Sequence, residues 1–111
     1  MCSSDLRETV VLEHEYRSLA VRDPRLRARY RRRQEALRDV LAAGLDARAK
    51  QLGAPPFSTP SREVATAYLA LGSGLAVERL IDPGAVPDDL LGEIVALVYQ
   101  GLVARARQAS R

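Results

Sequence analysis

The sequence predicts an all-α domain of four helices. Apolar residues recur at spacings of three and four along most of the chain, whereas the period-two alternation of β-strands is absent. Proline and glycine interrupt this pattern at three places, which divides it into four segments. A length of 111 residues fits one domain, and a hydrophobic content of 47% supplies an apolar core without disulfides or metal.

The first two predicted helices are separated by the dipeptide Asp23-Pro24. The first runs from about Leu6 to Val21. An aspartate N-cap followed by proline at the first helical position is a strong start signal, so the second helix begins at Pro24. It ends at Gly53, because glycine favours the left-handed conformation that closes helices.

Two proline-rich connections separate the last two predicted helices from the rest. In "GAPPFSTP" the paired prolines forbid helix continuation, and Thr59 before Pro60 repeats the cap-then-proline signal. The third helix therefore runs from Pro60 to about Ile81. After the break at "DPGAVP", the fourth begins at Pro87, with two aspartates in its first turn, and ends near Arg107.

The third and fourth helices are apolar on more than one face, unlike the first two. Such helices need cover on most sides, and four helices supply too few neighbours. We expect their second faces to form a homodimer, with close approach at glycines in "ALGSGLAV" and "LLGEIVALVYQGLVA". The alternative is that these glycines make room in the chain's own core. The interface candidates are Leu69, Gly72, Leu75, Ala76, Leu91, Val95, Val98 and Leu102.

The second helix raises the question of nucleic acid, since residues 22–38 contain eight arginines against two acidic residues. The net charge of the whole chain is only +3, so this one segment supplies all the excess. On a helical wheel the arginines divide between two flanks of the apolar face, whereas a groove-reading helix concentrates such groups on one exposed face. We therefore expect solvated flanks and no direct DNA binding by this chain.

Arg33 is the exception, because it lies inside the apolar band of the second helix. An inward arginine needs a partner. Glu15 on the first helix is one candidate and an anionic ligand group is another, while a third alternative is that Arg33 reaches water at the rim. We predict an effector cavity bounded by the first three helices, with Arg33 and Glu15 as polar contacts. Its wall candidates are Tyr16, Leu19, Tyr30, Leu37 and Tyr68.

Nothing in the sequence favours catalysis. His14 has no nucleophile in a recognisable context, and Ser73 falls within a predicted helix rather than on a strand-to-helix turn. One cysteine and one histidine make a zinc site implausible. We expect no catalytic residues, no metal and no cofactor. The uncharged stretch 64–77 is shorter than the roughly 20 residues of a membrane helix, and the N-terminus shows no secretion signal, so we expect a cytoplasmic protein without a membrane partner.

Two stretches together carry a family resemblance: "EYRSLAVRDPRLRARYRRRQEALRDVLAAGLDARAKQLG" and "REVATAYLALGSGLAVERLIDPGAVPDDLL". They resemble the C-terminal ligand-binding and dimerisation domain of TetR-family transcriptional regulators, from about Thr9 to Ala106. The resemblance implies an effector cavity among the helices and a dimeric four-helix bundle formed by the last two helices of each subunit. The effector would be a small apolar or amphipathic molecule.

One departure concerns the N-terminus. TetR-family members carry a helix-turn-helix before this domain, and here only "MCSSDL" precedes the first matching helix. That hexapeptide resembles a translated sequencing-adapter oligonucleotide, so we expect residues 1–6 to be a non-native tail and 7–111 to be the domain. We therefore expect this chain to be the effector-binding and dimerisation domain of a truncated regulator. DNA would be bound only through the missing N-terminal helix-turn-helix domain. A standalone helical protein-interaction module is the alternative.

Overall fold

The computed structural model describes residues 3–111, with side chains from Leu6 onward. The predicted tail therefore lies partly outside the described residues. Within them the chain forms four α-helices and no strand, which confirms the predicted all-α class. A single 3-10 turn at Pro83–Ala85 lies between the last two helices. The helices are α1 Ser3–Arg22, α2 Pro24–Gln51, α3 Ser61–Ile81 and α4 Leu90–Ala109.

The predicted boundaries of α2 are confirmed in detail. The carboxylate of Asp23 accepts hydrogen bonds from the main-chain N–H groups of Arg25 and Leu26, at 2.9 and 3.4 Å. At the other end Gly53 has a positive φ of 65°. Its N–H donates to the oxygen of Lys50, and the next N–H donates to the oxygen of residue 49. This Schellman arrangement satisfies the last carbonyl groups of the helix.

The last two helices begin later than predicted. Pro60 precedes α3 as its N-cap, with no side-chain hydrogen bond, so the predicted Thr59 cap is not observed. α4 begins at Leu90 rather than at Pro87. The guanidinium of Arg79 donates to the oxygen of Val86 at 3.0 Å and pairs with the carboxylate of Asp88. These bonds hold residues 86–88 as a turn against the end of α3, where the sequence pattern predicted the first helical turn.

The buried core of the single chain consists of small residues. α2 packs against α1 and α3, α1 also contacts α3, and α4 packs against α3. No large side chain among the described residues is fully buried. Packing between helices therefore leaves much of the larger apolar surface uncovered. The buried residues are Ala20, Ala42, Ala49, Val64, Ala65, Val86, Val103 and Ala106.

The large apolar side chains of α3 are buried or half-buried, apart from the exposed Ile81. Of the described helices α3 alone is long and apolar enough to cross a membrane, yet only 11% of its most apolar window is buried in the chain. The uncharged stretch 64–77 noted in the sequence is therefore shorter than the apolar part of the helix. Core helices of soluble proteins can have the same length and composition, but those are mostly buried. Most of α3 is therefore only partly covered by the described residues.

Candidate ligand site and subunit interface

A cluster of two tyrosines and an ion pair joins α1 to α2. Arg33 forms a salt bridge with Glu13, and the hydroxyl of Tyr30 donates to the same carboxylate oxygen of Glu13 at 3.3 Å. The guanidinium carbon of Arg33 lies 5.1 Å from the centre of the Tyr30 ring, within cation–π range. The ring centres of Tyr16 and Tyr30 are 5.9 Å apart. The sequence therefore identified three members of this cluster.

The carboxylate in this cluster is not the expected one. Glu15 is exposed, and Arg33 pairs with Glu13 instead. Two residues along a helix turn the side chain by about 200°, so only one of the two glutamates can face α2. Glu13 lies on the α1 stripe that also carries Tyr16 and Ala20, at spacings of three and four. Leu12, an apolar residue of α1 that lies off this stripe, is 63% exposed.

Burial and charge shift the ionisation of this cluster. Burial raises the pKa of Tyr30, while Arg17, whose guanidinium carbon lies 5.9 Å from the ring centre, opposes that shift. The hydrogen bond that Arg33 donates to the carboxylate of Glu13 raises the pKa of Arg33 above its ordinary value. The cluster therefore carries a protonated phenol and a compensated ion pair at neutral pH.

The other predicted wall residues lie elsewhere. Leu19 and Leu37 are exposed, at 56% and 43%. Tyr68 lies between α3 and α4, where its hydroxyl donates to the main-chain oxygen of Val95 at 3.1 Å. Tyr16, Tyr30 and Arg33 are thus brought together, whereas Leu19, Leu37 and Tyr68 are not part of their cluster. As ligand contacts, all of these positions remain predictions.

A cavity of 220 Å³ lies beside Tyr30, between α1, α2 and α3. α3 supplies its apolar wall, and four arginines and a glutamine supply its polar side. Sequence reasoning missed the three arginines of α2 in this set because it assigned both flanks of that helix to solvent. The signal was present, since positions 27, 31, 34 and 38 follow the spacing of one helical stripe. Besides Tyr30, the lining residues are Arg17, Arg27, Arg31, Gln34, Arg38, Thr66, Leu69 and Ala70.

A larger groove of 510 Å³ lies between the start of α1, the second half of α3 and the turn before α4. Four of the interface candidates line it, namely Gly72, Leu75, Ala76 and Leu91. Leu69 instead lines the smaller cavity. The remaining candidates, Val95, Val98 and Leu102, lie on α4, and Val98 is 43% exposed.

The chain's own packing does not explain the glycines of α3 and α4. A Cβ atom placed at Gly74, Gly92 or Gly101 would meet nothing within 4 Å, and one at Gly72 would meet Leu91 at an ordinary distance of 3.9 Å. Glycine in a helix interior costs about 1 kcal/mol relative to alanine. The packing of the described chain therefore gives no reason for glycine rather than alanine at these four positions.

Comparison with known families identifies the class of protein. Residues 4–104 match the family model described as BetI-type transcriptional repressor, C-terminal. The chain therefore belongs to this family and is a TetR-type C-terminal domain. Comparisons with curated proteins and with solved structures gave no match. Membership makes it a soluble regulator domain of a kind that is not typically enzymatic.

Proposed function

We propose that this chain is the effector-binding and homodimerisation domain of a cytoplasmic transcriptional regulator. The observation that carries the proposal is the uncovered apolar surface of α4. Leu97 is 61% exposed and Val98 is 43% exposed, on a helix that packs against α3 and buries Val103 and Ala106. Exposed apolar surface of this kind marks an interaction site.

The pattern of α4 supports a second copy as the partner. Leu91, Val95, Val98 and Leu102 follow spacings of four and three, which is the spacing of a helix-packing seam. A two-fold interface uses the same patch on both subunits, so one apolar stripe is enough to form it. Gly92 and Gly101 lie about 90° to either side of this seam, and the described chain leaves the space at both positions open.

The cavity beside Tyr30 supports the effector-binding half of the proposal. It lies between the first three helices and combines an apolar wall on α3 with a polar side that contains four arginines; of the predicted ligand contacts, Tyr30 lines it. α3 contributes to both the cavity and the proposed interface. A ligand that binds one arrangement of α3 better than another would therefore shift the geometry of the dimer.

Light scattering with one substitution and a matched control tests the dimer. The chain has a mass of 12.2 kDa, and we expect a particle of twice that mass at micromolar concentration. Val98→Glu should yield monomer, because it places a charge in the apolar seam. Val40→Glu changes an exposed valine on α2 and should leave the dimer intact. A wild-type monomer contradicts the proposal and favours a module that binds a different protein.

A further inference from the structure

The cavity beside Tyr30 is strongly cationic. Arg27, Arg31 and Arg38 reach it from one stripe of α2, and Arg17 reaches it from α1. No aspartate or glutamate lines it. In a partly enclosed site these charges act through a lower effective dielectric constant than that of water, so they attract an anion more strongly than exposed arginines do.

Two of the four arginines already have partners. Arg27 donates through Nε to the oxygen of Ala20 at 3.3 Å and through Nη2 to the oxygen of Val21, which satisfies carbonyl groups at the end of α1. Arg31 lies 3.5 Å from the carboxylate of Glu35, in a largely exposed pair. Neither is therefore the principal anion contact.

Arg38 and Arg17 differ from them. The Nε atom of Arg38 is buried and has no hydrogen-bond partner among the described residues. A buried donor without an acceptor costs stability, and the guanidinium of Arg38 forms no ion pair among the described residues, so its charge is not compensated there. Arg17 contacts the ring of Tyr30 but forms no ion pair within the described part of the chain. An anion in the cavity would compensate the charges of both guanidinium groups.

The wall of the cavity formed by α3 indicates the character of the uncharged part of the ligand. Thr66, Leu69 and Ala70 of α3 present a mainly apolar surface to the arginines. A volume of 220 Å³ lies below the range of about 300–1,000 Å³ for sites of drug-sized ligands, so the ligand is small. We infer that this cavity binds a small anionic amphiphile, whose carboxylate or phosphate oxygens contact Arg38 and Arg17 and whose apolar body packs on α3. The inference rests on the proposed effector site.

Calorimetric titration of the full chain with four probes tests the ligand class. Benzoate and phenyl phosphate share an aromatic ring and differ in their anionic group, so the tighter of the two identifies that group. Benzyl alcohol lacks the charge and inorganic phosphate lacks the ring. We expect at least one aromatic anion to bind, and benzyl alcohol and inorganic phosphate to bind at least tenfold more weakly. Equal binding of benzyl alcohol, or no binding of either aromatic anion, overturns the inference.

Substitution of Arg38 separates ligand binding from folding. Arg38→Met keeps an apolar stem and removes the unsatisfied donor. We expect it to weaken binding of the aromatic anion at least tenfold and to raise the urea midpoint of the free protein. Arg32→Met, at an exposed position on the other flank of α2, should change neither. Unchanged affinity in Arg38→Met, or a variant less stable than wild type, contradicts the inference. Arg17→Met should also weaken binding.

The mass of the same samples distinguishes the two proposals. A dimer that binds none of the aromatic anions overturns the ligand class and leaves the proposed domain function in place. If the protein is a dimer and prefers benzyl alcohol, the proposed effector site stands, and only the inference that its ligand is an anion is overturned. A monomer that binds benzoate through Arg38 supports the anion site and contradicts homodimerisation.

Discussion

The hydroxyl of Tyr68 on α3 donates a hydrogen bond to the main-chain oxygen of Val95 on α4, across 3.1 Å. This hydrogen bond links the two helices that we propose form the subunit interface. Burial raises the pKa of Tyr68, with a smaller contribution from Tyr99, so the phenol keeps the proton that the bond requires. This bond thus stabilises the packing of α4 on α3 within one chain.

Removal of this hydroxyl should loosen α4. Tyr68→Phe should lower the free energy of unfolding by about 0.5–1.5 kcal/mol, the usual net value of such a bond. Tyr16→Phe is the matched control, since its ring packs on Tyr30 but its hydroxyl has no hydrogen bond among the described residues. Urea unfolding measures both. Equal losses in the two variants would show that the bond to Val95 has no particular importance.

The pairing of Arg33 predicts different outcomes for two glutamates. Glu13→Gln removes the ion pair and weakens the acceptor for Tyr30, so stability should fall. Both side chains are more than a third exposed, which limits the loss to about 1 kcal/mol or less. Glu15→Gln should leave the unfolding free energy unchanged, because Glu15 is exposed. A larger effect at Glu15 than at Glu13 in urea unfolding would contradict this pairing.

Stability should fall at alkaline pH. Burial raises the pKa of Tyr30 and of Tyr68 above the ordinary tyrosine value of about 10. The folded state thus holds both protons more tightly than the unfolded state. Their contribution is complete below a pH of about 10 and is lost as pH rises through the folded pKa values. Urea unfolding across this range should show a shallower loss in the Tyr30→Phe, Tyr68→Phe double variant; an unchanged slope would contradict the assignment.

DNA binding by this chain should be weak and without sequence preference. Several arginines are engaged within the chain, including Arg33 with Glu13 and Arg62 with Asp39 at 2.8 Å. The remaining phosphate attraction is the component that salt removes. In electrophoretic mobility shifts, a labelled duplex should dissociate at about 0.15 M salt. A preference that survives excess competitor DNA would disprove this expectation.

The sequence predicted the four helices because their ends carry local signals. Asp23-Pro24 and Gly53 act within a few residues, and both boundaries are where the pattern placed them. The start of α4 was wrong because Arg79, on another helix, holds the preceding turn. A single-sequence pattern contains no information about such a contact.

The candidate site was predicted only in part, for the same reason. The wheel of α2 places Arg33 on the side that meets α1, where its side chain remains 53% exposed, whereas its partner depends on the rotation of α1. That rotation brings Glu13 to α2 rather than Glu15. Likewise, Arg27 and Arg38 share a recognisable stripe, but only the packing of α1 and α3 decides whether that stripe meets solvent or protein.

The most direct test of the proposed function locates the contacts between subunits. Isotope-filtered nuclear Overhauser measurements on a mixture of labelled and unlabelled chains report only intermolecular contacts. We predict contacts from the methyl groups of Val98, Leu97 and Leu91 to α3 and α4 of the second copy, and none from Val40 on α2. The absence of intermolecular contacts at millimolar concentration, or contacts confined to α1 and α2, would contradict a regulator domain that dimerises through its last two helices.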